Sequence, residues 1–295
     1  MVRMKCLPVI ACAIAAAAMP YRSADAKDVS PPDRHQVEIA GYTGDAMEPF
    51  ITPDGSLLLF NNSNDPKVNT DLQWARRTGP YSFQYGGRIE GANSAALDGV
   101  PSLDRSGFLY FVSTRSYATT FSTVYRARFA EGRATDVELV KGVSLNVPGQ
   151  VNFDLGISGD GNTLYGVDGD FTGGPFPKSA DIFIARRVGD HFERLSGSET
   201  LLAQVNTADL EYAPAISDDG LTLYFTRGTG SLFWRKTSVW RASRASLQEP
   251  FGRPERLVKN KRFPEAPALA DGGRTFCYHE KVDDVYRIFC AATAH

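Results

Sequence analysis

Five acidic residues recur along this chain at intervals that suggest shared work. Glu48, Asp98, Asp154, Glu211 and Glu265 stand 7, 9, 7, 9 and 8 residues ahead of Gly55, Gly107, Gly161, Gly220 and Gly273. Carboxylates gathered at one place can bind a cation, an amine or a sugar. They can also divide into an acid and a base for glycoside cleavage. Each could equally cap a strand start or pair with an arginine, and Arg115 and Arg227 are suitably spaced partners. The unequal offsets argue against one flat ring of acids. On sequence alone both readings stay open.

Other chemistry is thinner. Of the histidines His35, His191, His279 and His295, none has a partner at metal-ligand spacing, so no transition-metal site is expected. "DGDFTGG" at 168–174 clusters acids and glycines that could hold calcium. It lacks the spacing of a calcium loop, so an ordinary solvated loop is the simpler reading and no cofactor is expected. No Gly-x-Ser-x-Gly elbow or phosphate-cradling motif occurs. Phe171 and Phe176 in "DFTGGPFPK" and Trp234 in "GSLFWRK" fall in expected loops. There they can stack on a sugar or peptide, or fold back over the core.

The elements that position these residues repeat. "EPFITPDGSLLLF" at 48–60, "DGVPSLDRSGFLYFVSTR" at 98–115 and "NFDLGISGDGNTLYGVD" at 152–168 share one pattern. "EYAPAISDDGLTLYFTR" at 211–227 and "EAPALADGGRTFCYHE" at 265–280 complete it. Their glycines are spaced by 52, 54, 59 and 53 residues. Each copy reads as an alternating strand, a tight turn needing a residue with positive φ, and a second β-rich run. Third strands follow at 71, 123, 181, 238 and 284, and fourth strands near 86, 137, 192 and 254. Four short antiparallel strands per repeat of about 50 residues is the unit of a β-propeller blade. The last copy has no fourth strand, while "HQVEIAG" at 35–41 is a spare one. The expected fold is therefore all-β: a five-bladed β-propeller of four-stranded antiparallel blades, closed by the N-terminal strand. Six blades is the alternative, if a segment such as 196–209 supplies further strands.

The repeated acidic-x-x-Pro-x-x-Ser-x-Asp-Gly-x-x-Leu-Tyr-Phe pattern resembles the WD-like propeller repeat of the TolB type. The match is best at 211–227, 48–60 and 98–115, weaker where Leu155 replaces the proline and where Cys277-Tyr278 replaces Tyr-Phe. The resemblance implies a fold and leaves function open, since such propellers serve as scaffolds, binders and carbohydrate-active or peptidase modules. Propeller geometry would set all the Asp-Gly turns on one face. The long loops at 62–70, 115–122, 168–180 and 228–237, and the five acids, would lie on the other.

The N-terminus reads as a targeting segment. Arg3 and Lys5 precede an apolar run from Cys6 to Met19, and "SADA" ends at Ala26. This suits signal-peptide cleavage after residue 26, leaving 27–295 as one periplasmic or secreted domain. The rival is lipidation of Cys12 in "VIAC". The apolar run of 14 is too short to span a membrane, and no transmembrane segment is expected. The mature chain would carry 29 basic and 33 acidic residues, a balance with no footprint for nucleic acid. Cys277 and Cys290 would remain, expected as a disulfide across adjacent strands. The first reading is an exported monomer acting as a binding or scaffold module of the cell envelope, with a protein or glycan partner at its loop-rich channel face. The alternative is a carbohydrate-active hydrolase or lyase using the channel carboxylates.

Overall fold

The computed structural model describes residues 30–64, 68–230 and 236–293. The segment expected to be a signal peptide, Cys12 and Trp234 lie outside the described residues. Among the described residues the strands fall into five antiparallel units, the first four each of four consecutive strands and the last of three with His35–Gln36 beside them. Their innermost strands are Met47–Ile51, Asp98–Leu103, Gln150–Ile157, Leu210–Ile216 and Glu265–Ala270. Second strands follow at Leu57–Asn61, Phe108–Ser113, Thr163–Asp170, Thr222–Thr229 and Thr275–Val282. Each innermost strand touches the innermost strands of the units before and after it, and the fifth touches the first. Apolar layers lie between successive units, and one joins Ile288 and Cys290 of the fifth to Leu58 and Phe60 of the first. Sheets that bury both faces in this way account for the continuous apolar runs of the second strands. Segment 196–209, the possible source of extra strands, forms a short helix at Ser198–Leu201.

The Asp-Gly turns owe their recurrence to local hydrogen bonding. Gly55, Gly107, Gly161 and Gly220 have φ between +71° and +83°, a conformation that favours glycine. The Ser217 hydroxyl donates to Asp219, whose carboxylate accepts the Leu221 amide, and Thr52 and Asp54 repeat the arrangement. These bonds hold both carboxyls below their usual range. A third-strand arginine then clamps the turn from outside. Arg77, Arg187 and Arg244 donate to the carbonyls of Gly55, Gly161 and Gly220. Arg187 and Arg244 also reach the hydroxyls of Tyr110 and Tyr165 on the preceding unit, tying neighbours together. The Asp-Gly motif is thus architectural.

The N-terminal strand departs from expectation. Closure by the spare strand predicts that all of 35–41 pairs with the final strand, yet only His35 and Gln36 do so, opposite Cys290 and Phe289. Val37 donates to the Ile288 carbonyl. The chain then leaves, and Glu38–Ala40 run parallel to the outer strand of the first unit, beside Ser82–Gln84. The cause lies at either side: Val37 inserts into the apolar layer between the fifth and first units, so the segment spans both. Arg34 adds a 2.6 Å ion pair to the fully buried Glu280. Beneath it, Cys277 and Cys290 face each other in register and form a disulfide.

Deleting residues 30–41 removes Val37 from its layer and half of the charge compensation of Glu280. Disrupting a buried ion pair costs about 3–5 kcal/mol, which for a domain of this size is on the order of 10 °C in Tm. A thermal melt of the deletion variant indistinguishable from the intact chain would show that this segment is an ornament.

Candidate functional site

The five acids separate into two sets, and the unequal offsets are the reason. Asp98 and Glu211, nine residues before their glycines, point away from the axis into arginine clamps. Arg115 meets Asp98 at 2.6 Å while Ser94 donates its amide and hydroxyl. Arg227 meets Glu211 at 2.6 Å, and the amide and hydroxyl of Thr207 donate to the same carboxylate. Burial pushes the Glu211 carboxyl up despite these donors. In the third unit the position is held by Asn152, which donates to Asp168, itself gripped by both ends of Arg194 at 2.7 Å. Four of the candidates named from sequence, Asp98, Arg115, Glu211 and Arg227, are therefore struts joining strand ends to loops. The Asp168 oxygens are likewise engaged by Arg194, which takes one acid out of the possible calcium loop at 168–174.

Glu48, Asp154 and Glu265 behave differently. They lie at the axis, each is at most 7% exposed, and among the described residues no arginine or lysine pairs with them. Each innermost strand carries a register irregularity at this level, between Met47 and Phe50, Asn152 and Leu155, and Glu265 and Ala268 among others. The residue before the proline takes positive φ there: Glu48 at 49°, Val100 at 57°, Ala213 at 52° and Ala266 at 53°. Non-glycine residues in this region cost about 1–3 kcal/mol each, so a compensating contact is needed. It comes from the preceding unit. The Glu48 amide donates to Nδ1 of His279 at 3.1 Å, the Val100 amide to Asn61 and the Ala266 amide to Thr226. The Ala213 amide donates to Asp154.

His279 is the residue that sequence reading missed. It is fully buried, and its Nε2 lies 3.7 Å from Glu265. Ligand atoms of Glu48, Glu265 and His279 fall within 4.8 Å of one another. Its signal was weak in the sequence because Glu48 is 231 residues away. Because Nδ1 accepts the Glu48 amide, a neutral ring carries its proton on Nε2, directed at Glu265. The remaining partners are Asn64, donating to Glu48 at 2.8 Å, and Tyr212, donating to Glu265 at 3.0 Å. Burial raises the Glu48 carboxyl, with Glu265 adding to the shift against His279 and Asn64. Burial, then Glu48 and Glu265, push Asp154 well above the carboxylate range.

Two cavities meet at this cluster. One of about 90 Å³ runs from Glu48 and Asp154 along the channel to the Asp-Gly turns. The other, of about 20 Å³, is enclosed by Glu48, Asp154, Glu265, Asn64 and Tyr212 on the loop-rich side. A third cavity, of about 360 Å³, lies off the axis on the loop-rich face, between Gly173–Lys178 and the strand ends at Ala208–Leu210 and Gly228. Phe176 lines it, whereas Phe171 turns inward and packs edge-on to Phe153 in the core.

These features define a β-propeller with an acidic axis. Comparison with known structures agrees on the fold. The structure of BT0996 in its RGII complex superposes with TM-score 0.59 at 11% identity, covering 90% of this protein and 93% of the other. A thermostable family-43 glycoside hydrolase gives 0.55 at 11% identity over 88% and 93%. No protein-family model and no curated protein matches the sequence. Among the described residues no helix is long and apolar enough to cross a membrane.

Two predictions separate the two sets of acids. Glu211→Ala strands the guanidinium of Arg227 and should cost about 3–5 kcal/mol in chemical denaturation; a loss below ~1 kcal/mol would deny it the role of strut. Asp154 has the opposite character. Its native carboxyl titrates above its unfolded one, so the folded state binds more protons between the two values. Stability then falls as pH rises from the ordinary carboxylate range, about 4, through the raised native value. In chelator-containing buffer, Asp154→Asn should flatten this slope and melt higher than the wild type at neutral pH. Parallel melting curves across that window would contradict the assignment.

Proposed function

We propose that this protein is an exported five-bladed propeller that works on carbohydrate and holds a glycan at its loop-rich face. Five blades are supported by the five four-stranded units, and closure by the pairing of His35–Gln36 with the last strand. Export to the periplasm or exterior is supported by the sequence of residues 1–26 and by the disulfide, which suits an oxidising compartment. Anchoring through Cys12 is the alternative form of that export. The fold shared with a family-43 glycoside hydrolase is a ground for a carbohydrate-active role over a protein scaffold.

The observation that carries the reading is the off-axis cavity of about 360 Å³. Small-ligand sites typically occupy about 300–1,000 Å³ and combine apolar walls with a few polar groups. Here Phe176, Pro175 and Pro177 supply the walls, and Lys178 and Asp209 the polar groups. The axial cavities, about 90 and 20 Å³, are below that range. Recognition therefore belongs on the loops, whichever residues do chemistry. A second reading, glycoside cleavage at the axis, is favoured by the raised Glu48 and Asp154 carboxyls, since a general acid must keep its proton near neutrality.

A glycan array followed by a hydrolysis assay on the hits tests both. Phe176→Ala should weaken glycan affinity roughly 5–10-fold, the worth of an aromatic stacking contact, with the fold intact. An unchanged affinity, or no glycan bound at all, would remove the loop-face reading. Products formed by the wild type and lost in Glu48→Gln would move the site to the axis.

A further inference from the structure

The central channel has a chemistry that the glycan reading leaves unused. It opens at the Asp-Gly turns, where Asp218 and Gly272 are exposed. Its walls are apolar and mostly small, with Ile51, Val100, Leu155, Ala213, Ala266 and Ala268 contributed by the five innermost strands. Glu48 and Asp154 stand at the inner end, and among the described residues the lining has no arginine, lysine or histidine. Arg105, close to Gly159 at the mouth, is held by Asp218 at 2.7 Å. Asp154 is unlike the other buried acids. Asp98, Glu211 and Glu280 each have an arginine. Asp154 is 4% exposed, the Ala213 amide donates to its carboxylate, and Oδ1 has no hydrogen-bond partner. A buried polar atom without a partner is costly, and more so when charged. The native state therefore gains by admitting a donor along the channel.

We propose that the channel binds an unbranched primary alkylammonium, its charged head on Oδ1 of Asp154 and its stem along the apolar walls toward the Asp-Gly turns. Three features select this ligand. The first is shape. One water-sized group needs roughly 10–15 Å³ of such space, so the channel's volume of about 90 Å³ admits a file of roughly six to nine. An ammonium on a four-carbon stem fits such a file; a branched or aromatic amine does not. The second is donor chemistry. An ammonium brings three donors of its own and pairs with a single carboxylate, so it needs no ring of ligands around it. Glu48 adds negative charge at the same end of the channel. The third is the stem, since each methylene moved from water to the apolar wall adds to affinity.

The ligand would stand in for a proton. Burial, then Glu48 and Glu265, hold the Asp154 carboxyl well above the carboxylate range. His279 and Tyr212 are the other titratable groups at the cluster, and both engage Glu265. A bound ammonium offsets the charge that Asp154 otherwise loses by protonation. The mouth lies at the Asp-Gly turns and the glycan cavity on the loop-rich face, so neither reading depends on the other.

The test titrates the whole mature protein, in amine-free buffer, with methyl-, propyl- and butylammonium by calorimetry. The expected result is one site per molecule with affinity rising about fourfold per methylene. Uncharged 1-butanol and branched tert-butylammonium should not bind. Asp154→Asn should weaken butylammonium at least 10-fold, whereas Glu255→Gln, on the outer strand of the fourth unit, should leave it unchanged. Binding should tighten from about pH 5 to about pH 8, where the amine stays charged throughout, and the heat should vary with the buffer as Asp154 gives up its proton. A free amine and a lysine side chain of another protein present the same head and stem. Tighter binding of 1,4-diaminobutane than of Nα-acetyl-lysine N-methylamide assigns the site to free amines, and the reverse to a protein lysine. Phe176→Ala, on the glycan cavity, should leave amine binding intact. No binding of butylammonium to the wild type, or equal binding of 1-butanol, would overturn the proposal whether or not the variants fold. So would an affinity unchanged in Asp154→Asn.

Discussion

The fold depends on a backbone amide that cannot find a partner in its own sheet. At four of the five bulges on the innermost strands the ladder breaks and an N–H faces the neighbouring unit. Four such amides are accepted by side chains there: His279, Asn61, Asp154 and Thr226. An unpaired buried amide is expensive, so each acceptor fixes the rotation of one blade on the next. The bulges on the first and third innermost strands hold Glu48 and Asp154 at the axis. Ring geometry and acidic centre therefore have one origin.

This explains why two of the acceptors are ionisable. A blade interface needs only an acceptor, and asparagine or threonine suffices at two of the positions. Where histidine and aspartate are used instead, the interface gains groups whose protonation matters to their neighbours. Asp154 serves the Ala213 amide with one oxygen and leaves the other unpaired. The clasp and the axial cluster thus share residues, and the cost of an uncompensated carboxylate falls on the same contact that aligns the third and fourth blades.

Much of the architecture was legible in the sequence because it is periodic. The glycine spacing, the strand order and the Cys277–Cys290 register follow from repetition and local turn chemistry. The acids were harder. All five look alike along the chain, yet a two-residue difference in offset sends Asp98 and Glu211 to arginines and Glu48 and Asp154 to the axis. A bulge changes which face a residue occupies, and no local pattern announces it. His279 was invisible for another reason: its hydrogen-bond partner, the Glu48 amide, comes from the opposite end of the sequence. Phe171 shows the limit of reading aromatics by loop position, since it packs inward while Phe176, five residues on, lines a cavity.

The divided N-terminal segment has a temporal consequence. Residues 35–40 sit between the first and fifth units, and their partners at 288–290 are synthesised long after them. Until then the apolar layer holding Val37, Phe60 and Ile288 has only one wall. The ring stays open along that side, with strand edges and apolar surface accessible to other chains. Chaperones would meet an open arc until then, and cooperative resistance to unfolding would be acquired only once 288–290 reach 35–37.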